Sequence, residues 1–186
     1  MTSQSFNRYR DDQSGELLAA PALSKILTSE CQVLRFPAFS TGNAFALGCR
    51  IRDTFRKNER YHQNGTAGMA LAITLFSGLT LYQTCVGQGV TPDNMEWLHR
   101  KSNTVKRFGV SSWLRGQQRL AKGRPADDPL LGPDFAAHGG AFPIYIEGVD
   151  VGPIGAVTIS GMTQELDHEL AVLCITSFIQ DLKDVV

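Results

Sequence analysis

The sequence predicts an α+β domain, a mainly antiparallel five-stranded sheet with helices packed on it, in the order α-β-α-β-β-α-α-β-β-α. Three observations predict it. Strand-like runs arrive as hairpins, one around Ser77-Gly78 and one around residues 148–152. Apolar residues elsewhere recur at three- and four-residue steps, the period of a half-buried helix. No strand–helix–strand alternation occurs, and no G-x-G-x-x-G follows a strand, which excludes a doubly wound dinucleotide fold.

Each element has a local reason. Residues 1–13 are polar and read as a mobile arm; residues 14–186 read as one domain. Leu17, Leu18, Leu23, Ile26 and Leu27 can share a helical face, with Pro21 as a breaker. Cys31-Gln32-Val33-Leu34-Arg35-Phe36 alternates up to Pro37 and predicts a short strand. Ser40 or Thr41 caps a helix with Phe45, Leu47, Ile51 and Phe55 as its apolar stripe. Strands follow at 67–76 and 79–86. Thr91-Pro92 opens the next helix, with proline in its favoured first turn. It runs to Phe108, where Gly109 stops it, and Ser111 or Ser112 starts a shorter one. Residues 122–133 form the longest loop. Strands at 141–147 and 153–160 close the sheet, and Thr163 caps a final helix bearing Leu166, Leu170, Leu173, Phe178 and Leu182.

Composition narrows the function classes. Lys+Arg and Asp+Glu are both 18 in 186 residues, so net charge is zero. That argues against non-specific nucleic-acid binding and favours association. The most apolar run, Met69 to Val86, is broken by Ser77-Gly78 and ends on polar residues, so a buried hairpin explains it better than a membrane span. Cys31, Cys49, Cys85 and Cys174 are scattered, with no C-x-x-C. They read as unpaired thiols of a reducing compartment, Cys85 and Cys174 as small core residues. With a polar N-terminus, the expectation is a cytoplasmic protein.

The strongest chemical signal is local charge. Between Trp97 and Ala126 stand Arg100, Lys101, Lys106, Arg107, Arg115, Arg119, Lys122 and Arg124, with no acid among them. Arg100, Asn103 and Arg107 fall on one helical face. Such a face grips an anion through guanidinium forks, or holds an acidic residue at a subunit interface. Lys101 points elsewhere on the same helix. His138 precedes Gly139-Gly140, where glycine lets a ligand or another backbone approach closely. Its imidazole could ligate iron; alternatively it hydrogen-bonds a carbonyl and fixes the strand start. Asp167 reads as a charge at a helix N-terminus. No nucleophile elbow, zinc pair or paired carboxylates can be picked out, so no catalytic set is visible.

Four blocks resemble the haem-degrading-domain family, the GlcG-like and HbpS-like proteins, and especially a small cytosolic branch of bacteria and fungi. They are Phe45-Ala46-Leu47-Gly48, Trp97 to Phe108, His138-Gly139-Gly140-Ala141-Phe142-Pro143-Ile144, and Ser160-Gly161 followed by Gln164-Glu165-Leu166-Asp167-His168. The match spans roughly residues 14–183. It implies a profilin-like fold and a homo-oligomer, with haem or iron binding in some relatives. The reading that follows is a ligand site for haem or another anionic small molecule. Arg100, Lys101, Asn103, Arg107, His138, Gly139 and Gly140 line it, and His138 is the iron ligand. Self-assembly is expected because the two closing strands and last helix recruit copies of the same chain. The alternative is an oligomeric scaffold or chaperone-associated protein without small-molecule chemistry, docking a protein partner through the arm 1–13 or the tail Gln180 to Val186, which ends Asp184-Val185-Val186.

Overall fold

The computed structural model describes residues 8–184. Helices α1 (Ala20–Val33), α2 (Thr41–Lys57) and a short α3 (Glu59–His62) precede the hairpin β1 (Gly68–Leu75) and β2 (Thr80–Gly87). Then come α4 (Pro92–Phe108), α5 (Ser112–Leu120), β3 (Ala141–Ile144), β4 (Gly155–Ser160) and α6 (Gln164–Asp184). The sheet is antiparallel with strand order β2-β1-β4-β3.

The α+β class therefore stands, with two corrections. The sheet has four strands, not five, because residues 31–36 do not pair as a strand. Helix α1 runs on through Val33, and only Phe36 makes an isolated parallel bridge, to Ile146. The β-prone Cys31-Gln32-Val33 continues an established helix, since adding a residue to a helix is easier than starting a strand without a neighbour. Within the expected arm 1–13, Tyr9 is buried and its hydroxyl donates to Glu30 Oε1 at 2.7 Å, while residues 10–13 are exposed. Residues 1–7 of that arm fall outside the described residues.

The two faces of the sheet differ in side-chain size. Met69, Leu71, Ile73, Val157, Ile159, Phe142 and Ile144 form one face and join Leu47, Ile51, Phe55, Leu170 and Ile175 of α2 and α6 in the main core. The other face is built mostly from alanine, threonine and serine: Ala72, Thr158 and Ala141 stand in one row across β1, β4 and β3, with Gln83 of β2 at its end. Helix α4 lies over this face, with Leu98 against Ala70 and Ala72, and Val105 against Ala141 and Ala156. Small residues let the helix come close to the sheet.

Local signals fix the helices. Ser40 and Asn43 form a capping box on α2, and Thr91 and Asn94 form one on α4 ahead of Pro92. Gly48 lets α2 cross β2, since a Cβ there would sit 2.4 Å from the Tyr82 ring. Phe45, expected in the α2 stripe, is 63% exposed, and Cys85, expected in the core, is exposed on β2. Cys174 is buried as expected.

Candidate functional site

Helix α4 places its basic residues on different sides, and each side meets different partners. Lys101 points down onto the sheet and is buried. Its Nζ donates to Asp167 Oδ2 at 2.8 Å and to the Ile159 carbonyl at 3.0 Å. Asp167, at the start of α6, is equally buried and accepts from the Met162 amide. Burial pushes its carboxyl above the usual range, against the pull of the Lys101 ammonium and the Met162 and Gly161 amides. Asp167 is thus half of a buried ion pair as well as a charge near a helix N-terminus. Lys101 is committed to this pair and offers no free charge to a ligand.

Gly139 and Gly140 admit that pair. A Cβ on Gly139 would lie 2.1 Å from the Gln164 carbonyl oxygen. One on Gly140 would lie 2.4 Å from the Ile159 oxygen and 2.8 Å from Lys101 Nζ, at a φ of +121° that side chains avoid. The paired glycines are where β3, α4 and the β4–α6 turn converge. The close approach they permit is to the chain's own backbone.

Above the pair opens a cleft of about 260 Å³, lined by Trp97, Lys101, His138, Gly161, Gln164 and Asp167 among others. Trp97 is its organising side chain. Its indole N–H donates to Asp93 at 3.1 Å, one turn back. The His138 ring meets it edge-on at 5.3 Å, and the Arg100 guanidinium lies 4.7 Å from the ring centre. Arg100 is poorly satisfied. One amino group reaches the Phe135 carbonyl at 3.5 Å, and its buried Nε has no partner.

Asp127 stands near the Nδ1 side of His138 without a hydrogen bond to it. Asp127 Oδ2 lies 3.5 Å away, and Asp127 Oδ1 accepts from the Ala137 amide at 2.6 Å. Nδ1 is buried, and the ring as a whole is 37% exposed along the cleft. Among the described residues Nε2 makes no hydrogen bond. With Asp127 near Nδ1, Nε2 is the ring nitrogen left open.

Asn103 and Arg107 lie outside this cleft. With Arg100 they share the expected helical face, and the loop segment 134–137 lies along it. Asn103 Nδ2 donates to the Asp134 carbonyl at 3.0 Å, Thr104 Oγ1 donates to the Ala136 carbonyl, and Arg107 sits 5.8 Å from the Phe135 ring. Two further cations of the run meet an acid just past its end: Asp128 pairs with Arg119 at 2.8 Å and with Arg115 at 3.7 Å.

The structure therefore brings together Arg100, Lys101, His138, Gly139 and Gly140. Sequence reasoning missed Trp97, Asp127 and Gln164. Trp97 and Arg100 are three apart on a helix, and that spacing was the available signal. Asp127 lies in an aperiodic loop, where spacing carries none.

A helix-covered antiparallel sheet with a histidine-bearing cleft beside its paired glycines defines a class of small α+β domains. The chain belongs to the HbpS-like haem-degrading family, whose model matches residues 39–176. It is similar to a UPF0303 protein of Rhizobium johnstonii, 40% identical over 151 residues, covering 81% of this chain and 86% of the relative. It is also similar to the crystal structure of Ybr137w protein, with a TM-score of 0.73 and 31% identity over 85% of this chain and 88% of that one. A crystal structure of a PduOC:heme complex shares the fold at a TM-score of 0.54 and 16% identity, covering 75% of this chain and 94% of that one. No helix among the described residues is long and apolar enough to cross a membrane.

Proposed function

We propose that this protein is a haem-binding member of its family, assembled as a homo-oligomer, and that haem meets it at the Trp97–His138 cleft. The observation that carries the reading is His138 itself, backed by Asp127, braced by Trp97, and open at Nε2. Family membership and the haem complex of a fold neighbour support it. His138 would hold the iron, Trp97 would flank the ring system, and Arg100 would receive an anionic substituent. No group of three or more His, Cys, Asp or Glu among the described residues is placed to hold a bare metal ion, which favours a ligand that brings its own iron. Bound haem would supply iron redox chemistry; the chain's contribution is binding and orientation. A cleft of about 260 Å³ is smaller than a whole tetrapyrrole, so bound haem would stand partly above the surface.

Self-assembly has its own support, in a different place from the sequence expectation. The side chains of β3 and β4 are buried within the chain. The unpartnered surface lies at β2, an edge strand, where exposed Phe45 meets Tyr82 edge-on with ring centres 6.1 Å apart. The tail proposed for partner docking ends in Val185 and Val186, outside the described residues.

Haemin titration followed by absorbance tests the haem reading. A saturable Soret shift near one haem per chain, lost in His138→Ala, is expected. No shift, or one unchanged in that variant, overturns the assignment. Native mass spectrometry tests assembly: a closed oligomer is expected, with Phe45→Asp moving it towards smaller species, and a folded monomer at all concentrations contradicts it.

A further inference from the structure

The cleft described above uses one side of α4. The other side, where the sheet runs on past the helix to β2, encloses a separate groove of about 380 Å³. The two share no lining residue. The groove exists because α4 covers β4, β3 and β1 and stops short of β2.

Its floor is the row of small side chains noted earlier. Thr158 sits there between Ala72 and Ala141, its neighbours across the strands. It is 1% exposed, and its hydroxyl has no hydrogen-bond partner. A buried hydroxyl left unpaired is costly, and the alanines on both flanks offer it no partner. Leu98 and Met95 of α4 and Phe76 beyond β1 supply apolar wall. The rim is polar: Gln83 and Thr80 from β2 face Ser102, Asn103 and Lys106 from α4. Lys106 is exposed and makes no ion pair among the described residues, and no acidic side chain is among the lining residues. His99, also on the rim, is held by Asn103, with Nδ2 and Nε2 3.0 Å apart.

We propose that this groove is a second binding site, for a small organic carboxylate. The apolar body would lie on Ala72 and Leu98, the carboxylate would meet Lys106, and a hydroxyl or carbonyl on the body would complete Thr158. Size fits, since grooves of a few hundred Å³ take small molecules. Charge fits one carboxylate better than a phosphate. The rim offers a single ammonium, with no cluster of backbone amides or arginines of the kind that cradles a dianion. The inference is independent of haem, because the groove and the Trp97–His138 cleft share no lining residue.

The test is ligand-observed saturation-transfer NMR on the full chain, with benzoate, 4-hydroxybenzoate and hexanoate against benzamide and inorganic phosphate. The carboxylates are expected to bind, with 4-hydroxybenzoate strongest, and benzamide and phosphate are not. Lys106→Gln should weaken carboxylate binding about fivefold, the worth of one charge-assisted contact. Thr158→Val should abolish the advantage of 4-hydroxybenzoate over benzoate. The same change should raise the Tm of the unliganded protein by a few degrees, because it removes the unpaired hydroxyl. His138→Ala should leave all of this unchanged. Absence of binding by every carboxylate at millimolar concentration overturns the proposal. So does equal binding of benzoate and benzamide, or carboxylate binding indifferent to Lys106→Gln.

Discussion

The two faces of this sheet are made from the same strands and do different work. One alternates into Met69, Leu71, Ile73, Val157 and Ile159 and is sealed under α2 and α6. The other alternates into Ala70, Ala72, Thr74, Ala156, Thr158 and Ser160 and carries α4, a buried ion pair and both recesses. The bulky face is held by burial of apolar area, which is non-directional and tolerant of chemistry. The small-residue face has little such area to bury, so α4 is pinned by directed polar contacts, Lys101 to Asp167 and Thr104 to the Ala136 backbone. Recesses survive where side chains are too small to fill the space. In this fold, the face that contributes least to the apolar core is the one left with open recesses.

That contrast can be broken most sharply at Lys101. Lys101→Met leaves Asp167 buried without its partner and should cost about 3–5 kcal/mol in urea unfolding. The double variant Lys101→Met with Asp167→Leu should recover most of the loss, because a buried pair adds little over an apolar replacement. A single variant within experimental error of the parent would show that the pair does not pin α4.

Neighbouring residues on β1 sharpen the comparison. Leu71→Ala on the bulky face should cost about 2–5 kcal/mol, as cavity-forming changes do. Ala72→Gly, one residue along and on the opposite face, should cost only about 0.5–1 kcal/mol, mostly backbone entropy. Similar losses for the two would mean that both faces are packed alike.

A smaller effect separates the two faces by pH. Behind the bulky face, Glu30 Oε2 accepts from His168 Nε2 at 2.9 Å, with Tyr9 and Arg8 on its other oxygen. Burial raises the Glu30 carboxyl, but the hydrogen bond and charge of His168, then Arg8 and Tyr9, outweigh it and hold the group below its usual 4.5. A carboxyl depressed on folding stabilises above its unfolded value and loses that contribution as pH falls through its folded one. Stability should therefore drop as pH falls below about 4.5, and Glu30→Gln should flatten that acid limb while lowering stability at neutral pH. An acid limb unchanged in Glu30→Gln would place the titrating group elsewhere.

The parts of this picture legible in the sequence were those with a local signal. The turns around Ser77-Gly78 and residues 148–152 marked the paired strands, and the Thr91-Pro92 and Ser40 caps placed α4 and α2. The misread element was Cys31 to Phe36, where local alternation competed with a helix already under way and no strand lay beside it to pair with. The site was half legible. Arg100, Lys101 and His138 could be singled out by type, but their roles depend on contacts between distant segments. Lys101 looked like a free cation until Asp167, 66 residues on, was placed against it. Asp127 became visible only once the 122–137 loop folded back towards His138.

The most direct test of the account is to map where ferric haem sits, using the paramagnetic loss of backbone amide signals in TROSY spectra of deuterated protein. The account predicts loss confined to the small-residue side, around residues 93–101, 138–140 and 160–164. Loss centred on α2 and α6, or spread evenly over the surface, would contradict it.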